Sequence, residues 1–423
     1  MSKSIKLHWQ SWLFLGVLCW LLVATAYHGA INPNSGITGI DYFLYHRAAA
    51  WLNAGEKLYS PGDPERMGYM YAPAVALALR PLARLPYESA LKVWFLINAA
   101  SVALAVVFYA LAARLRWRHA AALGLLLLIA FRYWPTTCSF GLGQINGVLL
   151  AFVGAMLFAD SRGKFWAVGV LIAAAALIKL WMIAALIHLG VRRAWGAIAV
   201  CFVTFAALLA GSFALVGWHE WPGFVQTITS PNASVQPGLV SQSILGFARL
   251  RFTALGLVEP FSTDPLVHHA FVAIGFLIVG SALAWLMWQG ASRTPYETRL
   301  RFSFAIVSML LLLPLCHMEY YVFALPLLWT LLIPGPGARI HPATIIAGIV
   351  VYGIFTRPVP VSGPGLATHH DGLQSLLVSQ PFFAAVLLWC VAFAEICRVR
   401  AAQGVAVAAT QPIAFTGRAT VTA

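Results

Sequence analysis

Asp41 is the residue in this chain whose type and position most invite chemistry. Only 9% of the residues are charged. Yet the stretch after the first hydrophobic run places Asp41, His46, Arg47, Glu56, Lys57, Asp63, Glu65 and Arg66 close together. A carboxylate beside a membrane helix is costly unless it has a partner or a task. Two readings of Asp41 are open from position alone. It can serve as a general base that takes a proton from a hydroxyl, or it can cap the helix that starts there. Tyr42, Phe43, Tyr45, Tyr59, Tyr69 and Tyr71 surround it, a composition suited to the membrane–water boundary.

Lys179 is the second candidate. It sits in AAAALIKLWMIAAL, and its nearest charged neighbours are Lys164 and Arg192. A lysine in such a run either snorkels to the interface or faces a polar cavity or an anion such as a lipid-linked phosphate. Gln144 and Asn146 open the next apolar run in GLGQIN. They can satisfy a helix start or touch sugar hydroxyls and phosphate. Gln242, Ser243, Arg249 and Arg251 in SQSILGFARL raise the same pair of possibilities, with the arginines either interfacial anchors or forked phosphate donors. His317 and Glu319 in PLCHMEYY fall at a helix junction, as a bonded interface cluster or a substrate-facing pair. His369, His370 and Asp371 resemble a metal cluster in type, but their spacing is not diagnostic and an exposed loop is the preferred reading. The six cysteines are scattered without CxxC or Cys/His spacing, so neither a zinc site nor a disulfide framework is expected.

The elements that must position these residues are membrane helices. The chain is 61% hydrophobic with mean hydropathy +0.81, values that exclude a soluble globular protein. Apolar runs recur at spanning length, and lipid favours helices because it cannot satisfy open backbone groups. The reading is an all-α polytopic membrane protein of about 12 helical segments. Residues 43–54 form an interfacial helix ended by Gly55, and 73–84 an embedded apolar piece. Helices are expected near 11–30, 88–113, 119–134, 145–159, 195–216, 268–289, 302–316, 319–333, 341–355 and 380–397. Residues 165–190 are expected as two short helices with Lys179 near the bend. Outer loops are expected at YWPTTCSFGLGQIN and over 217–267. Residues 1–400 form one domain, followed by a disordered cytoplasmic tail over 401–423.

The net charge of +14 does not point to nucleic acid. Basic residues cluster at helix ends: Arg114, Arg116 and Arg118; Arg192 and Arg193; Arg299 and Arg301; Arg398 and Arg400. That is the positive-inside pattern and assigns those ends to the cytoplasm. On this topology ten of the 13 acids face outward, and only Asp160, Glu297 and Glu395 face inward. The polar working surface is therefore expected outside.

Several ordered blocks give the chain a family likeness. They are DYFLYHRAAAWLNAGEKLY; YMYAPAVALALRPLARLP with the helix of Trp94; GLGQINGVLLAFVGAMLFA; AVGVLIAAAALIKLWMIAAL followed by Arg192 and Arg193; SQSILGFARL; and PLCHMEYYVFALPLL. Together they cover roughly residues 38–330, and in them the chain resembles glycosyltransferase family 87, a branch of the GT-C superfamily of polyprenyl-phosphate-sugar-dependent membrane glycosyltransferases. The resemblance implies a GT-C-type helical bundle in the bacterial inner (plasma) membrane with its active site facing outward. It implies a sugar, with mannose the family's guide, moved from a polyprenyl-phosphate donor to a lipid or glycan acceptor with inversion. Asp41 would be the base. Lys179, Arg249, His317, Glu319, Gln144, Asn146, Gln242, His46 and Tyr71 would contact donor phosphate or substrate. No metal or other cofactor is implied beyond the lipid-linked donor as co-substrate, and membrane lipids rather than nucleic acid are the partners. Departures from the family pattern are a single proline in Tyr71-Ala72-Pro73, Leu180 after Lys179, and His317 with Glu319 where a tryptophan and a later histidine are common. The rival readings are a secondary transporter, which predicts inverted repeats and midplane charges, and a non-catalytic component of envelope polysaccharide export.

Overall fold

The computed structural model describes residues 15–28, 38–60, 66, 68–115, 120–229, 241–254, 260–292, 294–338, 340–357 and 376–410. Glu259, Asp63, Glu65, the His369–Asp371 loop and the tail after 410 lie outside the described residues. Among the described residues there is no strand beyond one isolated bridge between Ser241 and His317, and the molecule is a helical bundle.

The helices are α1 (Leu15–His28), α2 (Ile40–Ala54), α3 (Pro73–Leu79), α4 (Tyr87–Ala112), α5 (Ala120–Phe131), α6 (Trp134–Leu142), α7 (Asn146–Ser161) and α8 (Phe165–Ile178). They continue as α9 (Leu186–Val191), α10 (Trp195–Val216), α11 (Glu220–Thr229), α12 (Ile244–Arg251), α13 (Pro265–Trp288), α14 (Pro295–Leu312), α15 (Leu325–Leu332), α16 (Pro342–Phe355) and α17 (Gln380–Thr410). Short 3-10 segments cover Leu82–Arg84, Leu180–Ala185 and Met318–Ala324. Among the described residues, four helices are long and apolar enough to cross a membrane alone, and α5 with α6 would make a fifth as one bent span.

One row of the bundle runs α4–α7–α8–α10, and a second group packs α14 against α13, α15 and α17. Gly147 and Gly154 let α7 lie directly on α4, where a Cβ would meet the backbone of Asn98 and Ala105; small residues at such crossings bring membrane helices close. α10 buries little of its surface within the bundle, as expected of a helix facing lipid.

The expected elements over 73–84, 165–190 and 195–216 stand where the sequence reading put them. Two regions read as loops are partly helical. YWPTTCSFGLGQIN holds α6, bent 56° from α5; Pro135 in its first turn fits a helix start, but its threonines and serine hide the apolar period. The 217–267 region carries α11 and α12, so the expected dozen segments divide into more and shorter pieces. The last helix also continues past 397 to Thr410.

Candidate active site

The site is built where the start of α2 meets the turn between α6 and α7. Gly39 begins α2 with φ +73°, and its N–H donates to the Gly141 carbonyl at 2.7 Å. Gly143 ends α6 with φ +71°, and a Cβ there would lie 2.6 Å from Cβ of Tyr42. Only glycine takes such a φ without strain while letting the two chains touch. Tyr42 stacks on Trp94 with ring centroids 5.5 Å apart, and Trp94 Nε1 donates to the Gly143 carbonyl at 2.7 Å. These contacts fix Asp41 opposite Gln144.

The helix position settles one alternative. Gly39 is the N-cap of α2, without a side-chain capping bond, and Asp41 lies inside the first turn. Its carboxylate is turned to Gln144, whose Nε2 donates to Oδ2 at 2.6 Å.

Gln144 is the hub. Its Oε1 accepts from Tyr71 at 3.0 Å, from Tyr45 at 3.1 Å and from Lys179 Nζ at 3.3 Å. The Tyr45 hydroxyl also lies 2.7 Å from that of Tyr71, so its single proton is shared between that oxygen and Gln144 Oε1. Lys179 occupies the expected break: α8 ends at Ile178, and Lys179 is extended before the 3-10 turn begins. It is only 6% exposed, so it does not snorkel. Its Nζ donates to Asn146 Oδ1 at 2.8 Å and lies 3.9 Å from the ring centroid of Tyr320, a cation–π contact. Asn146 Nδ2 donates in turn to the Glu319 carbonyl at 3.2 Å.

Glu319 completes the group from the 3-10 segment. Its Oε1 is 3.2 Å from His317 Nδ1. Two residues apart would not share a helix face, but His317 is extended and the tighter 3-10 turn starts after it. His317 Nε2 is buried without a hydrogen-bond partner among the described residues. Burial pushes the Asp41 carboxyl up to about 6, and nearby Glu319 adds to the shift; Gln144, Lys179 and His317 pull the other way.

An apolar cleft of about 580 Å³ reaches Lys179 from the outside of the bundle, with Tyr71, Trp181, Phe205, Phe224 and Tyr320 among its walls. A long hydrocarbon can lie in such a cleft with an anionic head beside the ammonium.

The structure thus joins Asp41, Tyr71, Gln144, Asn146, Lys179, His317 and Glu319. Three other candidates stand elsewhere. His46 Nε2 bonds the Leu85 carbonyl at 3.2 Å and braces α2 against the start of α4. Gln242 supports the His317 segment: its N–H donates to the Cys316 carbonyl at 2.6 Å, and its own carbonyl accepts from Tyr321 at 2.6 Å. Arg249 is half-buried on α12, which packs on α13 and α14, and it takes no part in the bonds joining Asp41 to Lys179. Tyr45 and Tyr320 were not singled out by the sequence reading. Tyr45 was findable, because it lies four residues after Asp41 on one helix face. Among the described residues no group of three potential metal ligands converges.

Fold and site together define a polytopic helical membrane protein that offers a lysine on the wall of an apolar cleft and a carboxylate linked to it through one amide. The model of glycosyltransferase family 87 matches residues 69–314, and the chain belongs to that family. It is a membrane glycosyltransferase. The matched range includes Tyr71, Gln144, Asn146 and Lys179; Asp41 precedes it and His317 and Glu319 follow it. Among curated relatives is the polyprenol-phosphate-mannose-dependent alpha-(1-2)-phosphatidylinositol pentamannoside mannosyltransferase of Mycolicibacterium smegmatis, 29% identical over 337 residues, 74% of each chain. The protein of the same name from Mycobacterium tuberculosis is 29% identical over 336 residues, 75% of this chain and 71% of that one.

Proposed function

We propose that this enzyme moves a mannosyl unit from a polyprenyl-phosphate donor to a hydroxyl of a lipid-linked glycan, on the extracytoplasmic face of the plasma membrane. The observation that carries the reading is the placement of Asp41 and Lys179 on either side of one buried amide, with Lys179 at the head of the apolar cleft. The donor class is taken over from the two mannosyltransferase relatives. The prenyl chain lies in the cleft and its phosphate meets Lys179.

In the reaction the acceptor oxygen attacks the anomeric carbon while Asp41 takes its proton. The bond from that carbon to the phosphate oxygen breaks, and polyprenyl monophosphate leaves with one more negative charge. Lys179 stabilises that charge as it develops. His317, oriented through Nδ1 by Glu319, presents Nε2 to the same phosphate. A phosphate monoester is a good leaving group, so this chemistry needs no divalent ion. A single displacement inverts the centre, and a β-linked donor gives an α-linked product.

The test is a transfer assay with purified protein, polyprenyl-phosphate mannose and extracted lipid-linked mannosides. Asp41→Asn is expected to insert normally and lose turnover; turnover at the wild-type rate sinks the assignment of the base. Lys179→Ala is expected to weaken donor use more than acceptor use; equal effects on both count against its phosphate role.

A further inference from the structure

We propose that Gln144 is a positioning residue: its side-chain amide holds one oxygen of Asp41 and stands between Asp41 and Lys179. Each charge then stays available to its own substrate. The inference rests on Asp41 being the base.

The amide has only one admissible orientation. Lysine is a donor without acceptor capacity, and an ionised carboxylate only accepts. Gln144 touches both, so its oxygen must face Lys179 and its nitrogen must face Asp41. Tyr71 and Tyr45 also converge on that oxygen. The residue is 5% exposed, and its oxygen already faces three donors. It has little left to offer a sugar or a phosphate, which was its expected role.

The arrangement has a chemical consequence. A lysine bonded directly to Asp41 would favour the charged carboxylate, weaken it as a base, and be spent on it. With the amide between them, Gln144 holds Oδ2, and no described residue donates to Oδ1, which is left for an acceptor hydroxyl. Lys179 has its own supports in Asn146 and the Tyr320 ring, so it does not depend on Gln144 for its place. The other ionisable groups facing the pair are Tyr45 from α2, Tyr71 ahead of α3, Cys316 and His317 just before the 3-10 segment, and Glu319 and Tyr320 within it. None of them separates Asp41 from Lys179 as the amide does.

The experiment compares the pH dependence of kcat/KM for wild type, Gln144→Leu and Gln144→Glu, with Asp41→Asn alongside. Gln144→Leu removes a hydrogen bond to the charged form. Its acid limb is expected to move up by about one pH unit, with kcat at neutral pH about tenfold lower and the donor KM little changed. Gln144→Glu keeps the shape but sets a carboxylate between the two charges. It is expected to move the limb further up and to raise the donor KM roughly tenfold, because Lys179 is then neutralised. If both variants lose rate equally at every pH with the limb in place, Gln144 is merely structural and the inference is overturned; a limb that moves down overturns it too. Should Gln144→Leu not fold, the near-isosteric Gln144→Glu alone decides by the same limb. An inactive Asp41→Asn beside an unmoved limb in the Gln144 variants refutes only the positioning role. Wild-type turnover by Asp41→Asn refutes the base and this inference with it.

Discussion

The two ends of α7 carry two polar regions that treat charge differently. Asn146 opens the helix beside Lys179, and Asp160 lies near its far end, about 21 Å away at 1.5 Å per residue. At the far end every acid meets a guanidinium. Asp160 Oδ2 lies 2.9 Å from Arg192 Nη2, and His188 contacts its other oxygen. Glu297 pairs with Arg301 and Arg400, and Glu395 with Arg398 at 2.6 Å. Nη groups of Arg301 and Arg299 donate to the carbonyls of Gly290, Leu286 and Pro334, while the Nε of each is buried without a partner among the described residues. At the near end, Asp41 and Lys179 are joined only through a neutral amide. The first region is electrostatically closed and holds helices together. The second keeps Asp41 and Lys179 out of an ion pair with each other, while Glu319 is held by His317, an arrangement that suits a candidate site for charged substrate. The three acids that the sequence reading placed inside all belong to the closed region, gathered around residues 296–298.

This contrast can be broken by exchanging readouts between the regions. The largest effect is expected for Asp41→Asn: a fall in kcat/KM of about 10²- to 10⁴-fold, with thermal unfolding in detergent as in wild type. Next comes Arg301→Leu, which removes one of the two guanidinium partners of buried Glu297 and leaves the Leu286 and Gly290 carbonyls short of a donor; it should lower stability by about 1–3 kcal/mol, and activity per folded molecule should be largely kept. If Arg301→Leu proves as active-site-like as Asp41→Asn, the division of labour fails. Lys179→Ala is expected to raise the donor KM about ten- to a hundredfold at little change in melting temperature. The smallest effect is on pH. With its carboxyl raised to about 6, Asp41 loses its basic form as pH falls through that value. kcat/KM should be flat above about pH 7 and drop about tenfold per pH unit well below 6. A profile flat to pH 5 would remove Asp41 from the rate law.

Much of the site was legible because its residues break the composition around them. Asp41 and Lys179 are conspicuous as charges in apolar surroundings, and the break at Lys179 follows from a charge that no continuous spanning helix should carry in lipid. What was hidden is distance. Gln144 and Asn146 were marked as a polar helix start, but nothing in their spacing says that Gln144 meets Asp41, which precedes it by about a hundred residues. Arg249 and His46 were chosen by type; His46 reaches the Leu85 carbonyl, and Arg249 stands on α12, outside the bonds that join Asp41 to Lys179. α6 was missed because its polar residues face protein rather than water; Thr136 and Ser139 are buried, so the usual contrast between an apolar face and a wet face is absent. Asp41, His317 and Glu319 also flank the stretch that the family model matches, and only folding brings them to it.

The meeting of Gly143 with Tyr42 bears on how this enzyme tolerates variation. Alanine at 143 would be strained at φ +71° and would press its methyl into the side chain that follows Asp41. A displacement of about 1 Å in a catalytic group can cost on the order of a hundredfold in rate. A saturation screen should therefore find position 143 as intolerant as position 41, although glycine donates, accepts and titrates nothing through a side chain. Inheritance of the activity depends there on a missing carbon atom, and a search confined to reactive groups would pass over it.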